Sequence, residues 1–191
     1  MDQSIRRLVT GHDDQGRSVI LHDGPAPNGI EYPAGSGGRF TRMWATDRSP
    51  TSNEGSRDAG DDPIALEPAP GGSNFFIAHI PPGEKRQSVS EFTPDEIERM
   101  RESANAIGAA HTVGDATRDV SMHRTKTLDY IIVLSGEITL LLDEGEARLK
   151  AHDVVIQRGT NHTWINDGSE LAILAGILLD AEALNPGSST S

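Results

Sequence analysis

The chain of 191 residues contains no cysteine. That excludes a disulfide framework, a thiolate metal site and a cysteine nucleophile. Aromatic residues are scarce as well, with two Trp, two Tyr and four Phe. Positive charge is in deficit: 17 Lys and Arg stand against 29 Asp and Glu, for a formal net charge of −12. Nucleic acids and anionic membrane surfaces both attract Lys/Arg patches, so neither is an expected partner. Nowhere do roughly 18 apolar residues run together, as a membrane-spanning helix requires. The opening MDQSIRRLVTGHDD also lacks the apolar core of a secretory signal, which makes the cytoplasm the expected compartment. GPAPNG and GSGG carry no P-loop lysine, and there is no GxSxG, so nucleotide binding and a serine-elbow hydrolase have no support.

What the chain does contain falls into four zones, a size and pattern that fit one domain with trimmings. Residues 1–45 form an N-terminal strand arm, with runs at Ile5–Val9, Ser18–His22 and Arg39–Ala45 separated by turn residues. Residues 46–73 form an acidic, Gly/Pro/Ser-rich loop whose only large apolar residues are Ile64 and Leu66. A segment with so little to bury is expected to be mobile, with Leu66 and its neighbours as its points of attachment. Residues 74–180 hold most of the apolar side chains, and residues 181–191 form a polar tail.

Within the third zone, Thr93-Pro94-Asp95-Glu96 reads as a capping box with proline at the first helical position. Ile97, Met100, Ala104 and Ile107 follow at spacings of three and four, and Gly108 is placed to end a helix over 93–108. The helix is expected to pack outside a barrel or sheet. After it the apolar period changes to two. Val120–Arg124, Asp129–Leu134, Glu137–Asp143, Glu146–Lys150, Val154–Gln157, Thr163–Asn166 and Leu171–Leu179 are short runs bounded by Gly, Asp or Asn. Such a series suggests an all-β sandwich or barrel.

The residues able to carry chemistry begin at His123. His123 and Thr125 are two apart and share a strand face. Asp129 follows, and RGTNHTWIN brings His162, Trp164 and Asn166 about one hairpin after Gly136. Two imidazoles and a carboxylate on adjacent strands are the ligand set of an open 2-His-1-carboxylate site. Without a metal, His123 and His162 would bond to Thr125 and Asp129, and one imidazole would be available as a general base. Trp164 shares the face of His162, where stacking on a ligand and core packing both suit it. Tyr130 and Arg124 alternate outward. Arg158 sits in the mouth loop, either as a clamp for a carboxylate substrate or as a solvated charge. His79 lies on the face of Phe75 and Ile77 and reads as a core histidine. His12, His22 and His111 have no ligand spacing to anything. Arg42 and Trp44 are placed to cover a barrel mouth.

The stretch MHRTKTLDYIIVLSGEITLLLDEGEARLKAHDVVIQRGTNHTWIN resembles the two motifs of the cupin superfamily. The first motif's spacing is kept by His123, Thr125, Asp129 and Gly136, and the second by Asp153, Gly159, His162 and Asn166. The likeness extends over residues 74–180, with PPG at 81–83. It implies an all-β, cupin-type double-stranded β-barrel (jelly roll) with an N-terminal strand segment and one surface helix. It further implies a divalent metal (Fe, Mn, Ni or Zn) on His123, Asp129 and His162, and a homodimer formed through N-terminal strands. Small cupins of this kind occur in microbial catabolic and secondary-metabolite pathways, and fungal members are described as oxidoreductases. Thr125 stands where the family has its second histidine, Asp129 where it has glutamate, and His152 where it has the turn glycine.

These observations leave three readings. The first is a metal-dependent oxidoreductase or oxygenase acting on an oxygenated, aromatic or polyketide-derived metabolite, with His123 and His162 catalytic and Trp164, Arg158 and Thr125 touching substrate. The second is a metal-independent lyase, dehydratase, cyclase or isomerase with a histidine base. The third is a non-catalytic small-ligand-binding or accessory barrel.

Overall fold

The computed structural model describes residues 4–32, 36–83, 91–106, 109 and 118–184. In chain order the strands and helix are β1 (Arg6–His12), β2 (Ser18–Pro25), β3 (Asn28–Glu31), β4 (Arg39–Thr46), β5 (Ser73–Ile80), α1 (Pro94–Ala106), β6 (Thr127–Ser135), β7 (Glu137–Leu142), β8 (Glu146–Lys150), β9 (Val154–Arg158), β10 (His162–Ile165) and β11 (Ala172–Asp180). The all-β expectation holds, and the jelly-roll halves are present as a six-stranded sheet, β3-β4-β5-β11-β6-β9, and a three-stranded sheet, β10-β7-β8. The barrel is not closed, because no ladder among the described residues joins the two sheets. The chain entering β6 touches the smaller sheet at one antiparallel bridge, between His123 and His162.

Alternation along β6 sorts the two faces of the large sheet. Thr127, Asp129, Ile131 and Val133 are buried, whereas Tyr130 and Leu134 are exposed, as an antiparallel sheet with one packed face requires. Ile131 and Val133 join Ile138, Ala172 and Leu174 in the core between the sheets, and Trp164 packs against them. Each Ile, Val or Leu among them contributes roughly 1.5–3 kcal/mol on burial. Gly136 makes the turn into β7 with φ +74°; a Cβ there would lie 2.5 Å from the Leu171 carbonyl oxygen, so no other residue fits.

The outer face of the large sheet carries Met43, Ile77 and Ala175, covered by Ile5 and Ala26 from the ends of the separate β1–β2 hairpin. Arg7 on β1 lies over the Trp44 ring at 5.9 Å, donates to the Met43 carbonyl at 3.0 Å and pairs with Asp58. Strands β3 and β4, from the segment read as an arm, extend the main sheet, with β4 paired along β5 from Arg39↔His79 to Thr46↔Ser73. On edge strand β9 the outward Val154 and Ile156 are exposed beside Tyr130 of β6.

The acidic loop is held down over its second half. Its two large apolar residues, Ile64 and Leu66, pack with Ala104 of α1, Ala109, Ile30 and Tyr32. Asn28 donates to the Asp62 carbonyl at 2.7 Å, and Asn74 to the Ala65 and Leu66 carbonyls at 2.9 and 3.2 Å. Helix α1 begins at the capping box: the Glu96 carboxylate accepts from the Thr93 backbone N–H at 2.8 Å and from its hydroxyl at 2.7 Å. It therefore packs on this strap and on β3. Ile107, Gly108 and His111 lie outside the described residues.

Candidate functional site

His123 and His162 are brought together by the bridge between their backbones. Each N–H donates to the other's carbonyl at 2.9 Å, and the ring centroids lie 4.3 Å apart at 47°. His123 Nδ1 is 3.0 Å from the Ser121 carbonyl, and His162 Nδ1 is 3.0 Å from the Thr160 carbonyl. A carbonyl only accepts, so His123 Nδ1 carries the proton and its Nε2 keeps the lone pair, whereas His162 Nδ1 faces both the Thr160 carbonyl and the Gln157 amide nitrogen. The Gln157 amide packs on His162 Nδ1 at 3.2 Å while donating to the Thr160 carbonyl at 3.0 Å. Ser121 is itself anchored, its N–H donating to Asp119 at 2.9 Å and its hydroxyl lying 2.7 Å from that of Thr163.

Both imidazoles are neutral. Burial lowers the His123 pKa, and burial together with the neighbouring His123 pushes His162 down to about 3. Trp164 meets the His162 ring edge-on at 6.0 Å, so the shared face read from alternation is real. Trp164 also belongs to the core packing, and one ring serves both surfaces.

Asp129 lies on the other sheet, in register with Gln157 on one side and Leu178 on the other. It is 3% exposed, and its Oδ1 has no hydrogen-bond partner. Burial raises its pKa to about 6, with repulsion from Glu67 adding to the shift and the Thr127 hydroxyl opposing it. Glu67, on the strap, accepts from the Lys126 backbone N–H at 2.7 Å. Thr125 is buried, its hydroxyl 2.7 Å from that of Thr127.

The three-ligand metal set expected from His123, Asp129 and His162 is not assembled. Among the described residues, no three His, Cys, Asp or Glu side chains gather closely enough to hold a metal ion. Facing sheets stand about 10 Å apart, and an aspartate reaches one methylene less far than a glutamate. Of the three, His123 has the tautomer that ligation needs, its Nδ1 donating to the Ser121 carbonyl.

Arg158 does not join the pair. It is exposed and in register with Leu128, on the sheet face opposite Gln157. Tyr130 and Arg124 are exposed, as their alternation indicated. His79 is buried on the outer face with its Nδ1 unpartnered, and burial lowers its pKa, helped by Arg39. Asn166 is structural, its amide bridging the Ile80 and Glu170 carbonyls at 2.8 Å each. Two contributors escaped the sequence reading, Gln157 and Glu67. Gln157 shares the parity of Val155 and was within reach of alternation, whereas nothing in the polar loop marked Glu67.

A family model described as "Cupin domain" matches residues 112–178. The "Phomopsin biosynthesis cluster protein C'" of Diaporthe leptostromiformis is 32% identical over 166 residues, spanning 84% of this chain and 69% of that protein. The "Cupin-domain-containing oxidoreductase fogC" of Aspergillus ruber is 26% identical over 164 residues, covering 85% of this chain and 64% of its own length. Among solved structures, a Cupin 2 conserved barrel domain protein from Salinispora arenicola aligns with a TM-score of 0.41 and 16% identity, over 76% of this chain and 78% of that one. Among the described residues no helix is long and apolar enough to cross a membrane.

Proposed function

The chain belongs to the cupin-domain family, and from that premise we propose that it is a small-molecule enzyme of secondary metabolism whose reacting groups are His123 and His162. The Diaporthe relative, named for a biosynthesis cluster, supplies the metabolic setting. The observation that carries the reading is the bridged imidazole pair, buried, held toward the neutral form and anchored through Nδ1 to the Ser121 and Thr160 carbonyls.

Proton transfer is the chemistry these residues support best. A neutral imidazole has the lone pair a base requires, and Asp129 near pKa 6 is poised to give or take a proton close to neutrality. Burial makes His162 a weak base, and a weak base suits a proton that is already acidic, such as one on carbon between two carbonyls. Removing that proton while a protonated carboxyl delivers its own to a β-hydroxyl breaks one C–H and one C–O bond. It forms a C=C bond and releases water. An oxygenated, polyketide-like metabolite offers such protons, and Trp164 gives its rings a stacking surface.

A metal-dependent oxidoreductase is the second reading, favoured by the two Nε2 atoms and by the oxidoreductase name of the Aspergillus relative. His123 and His162 would hold the metal, which would supply Lewis acidity or bind dioxygen. With Asp129 apart from the pair, the ligand set is incomplete and no step is derived through a metal.

One experiment separates the readings. Metal-stripped protein and the His162→Gln variant are incubated with small-molecule extract of the producing organism, and products are compared by mass spectrometry. Conversion by wild type alone, with loss of water or no mass change, is the expected result. Conversion that returns only with added Fe(II), and that adds oxygen or removes two hydrogens, selects the second reading. No conversion under either condition overturns both.

A further inference from the structure

Arg42 on β4 is 4% exposed, yet no carboxylate among the described residues lies within ion-pair distance of it. Among the described residues its one side-chain hydrogen bond runs from Nη2 to the Ala65 carbonyl at 3.2 Å, and its Nε is buried without a partner. The guanidinium lies over the Phe76 ring at 5.7 Å. Asp62 acts on it through space but is bonded to Arg57. Arg7 shows what this protein does elsewhere: its side chain is also buried, and it receives both the Asp58 carboxylate and a backbone carbonyl. A buried cation left with one neutral acceptor is costly unless an anion completes it.

Arg42 lines a cavity of about 360 Å³ between the end of β4, the start of β5 and the strap, with Trp44, Asn74 and Glu67 also in its wall. Sites for small molecules are of this order of size. We infer that this cavity binds a small planar organic monocarboxylate, the guanidinium of Arg42 taking the carboxylate and Trp44 flanking the apolar part. A guanidinium fork matches a carboxylate in two parallel bonds. Glu54 and Glu67 in the same wall disfavour a dianion such as phosphate. The inference stands apart from the imidazole pair, since it concerns binding and not turnover. It also transfers the carboxylate-clamp role from Arg158, which is exposed on the outer sheet face, to an arginine enclosed by the fold.

The test is calorimetric titration of the full chain with benzoate, benzamide and inorganic phosphate. Saturable benzoate binding is expected, with benzamide and phosphate at least about ten-fold weaker, the size of a lost charge-assisted hydrogen bond. Arg42→Met is expected to lose benzoate binding by a similar factor or more. Should that variant fail to fold, Arg42→Lys keeps the charge without the fork and is expected to bind at least about ten-fold more weakly. Equal binding of benzoate and benzamide, undiminished binding by the variant, or no saturable benzoate binding overturns the inference.

Discussion

His123 and His162 hold each other twice, through a closed pair of backbone hydrogen bonds at 2.9 Å and through rings 4.3 Å apart. A proton added to either ring would face burial as well as its neighbour, so the pair resists charging. The depressed His162 pKa gives stability that is complete above the unfolded value of 6.5 and is lost as pH falls toward about 3. In a Trp44→Phe background, Trp164 emission is expected to stay constant from about pH 8 to about pH 5, where an ordinary histidine would already have titrated. His162→Gln should flatten the acid limb of the stability curve, as followed by urea unfolding at a series of pH values.

Asp129 works in the opposite sense. Its folded pKa of about 6 lies above the usual 3.8, so the stability it allows is complete below 3.8 and is lost as pH rises through 6. The shift corresponds to roughly 3 kcal/mol above that range. Asp129→Asn is therefore expected to stabilise the fold by up to about 3 kcal/mol at pH 8, with the gain vanishing near pH 4. Urea midpoints at the two pH values check it; an Asn variant no more stable at pH 8 would mean that the carboxylate is not buried unpartnered.

The turn before β9 is built on a residue that pays conformationally. His152 has φ +78° and is the only non-glycine with positive φ among the described residues. Its N–H still donates to the Val133 carbonyl at 2.8 Å, so the turn geometry survives without glycine. His152→Gly is expected to stabilise by about 0.5–1 kcal/mol, the left-handed penalty less the added chain entropy of glycine. Differential scanning calorimetry should show a melting temperature higher by about 2 °C. Gly136→Ala, with its carbonyl clash, should move the other way by more.

Ile64 and Leu66 anchor the strap. Ile64→Ala and Leu66→Ala are expected to cost about 1–2 kcal/mol each, less than for fully buried side chains. Hydrogen exchange should locate the effect at the Lys126 amide, which Glu67 protects from 59 residues away. Loss of stability with that amide still protected would show that the strap does not depend on these two side chains.

Much of the fold is visible in the residues themselves. The capping box placed α1, and period-two runs placed most of the strands, because one face of each is buried and alternation follows. The edge strand β3, four residues with little alternation, left no such signal. The His123–His162 pair was legible from spacing, since strand parity and hairpin length constrain which side chains meet. Asp129 was assigned to the same cluster because spacing along the chain does not report the gap between two sheets. Arg158 illustrates the same limit, as one step in parity turns it from the mouth to the outer face. The strap was legible only at Ile64 and Leu66, for a different reason: several of its other attachments are backbone carbonyls accepting from Asn28, Arg42 and Asn74, and any sequence supplies carbonyls.

Other attachments set when the strap can form. Asp58 meets Arg7 across 51 residues, Glu67 meets Lys126 across 59, and the Gly71 N–H meets the Asp180 carboxylate across 109. Each closes a long loop for little buried surface, and the Gly71 contact also requires the C-terminal strand β11 to be in place. The strap is therefore among the last regions to take shape as the chain folds. Weakening it should hasten unfolding and leave the folding rate nearly unchanged.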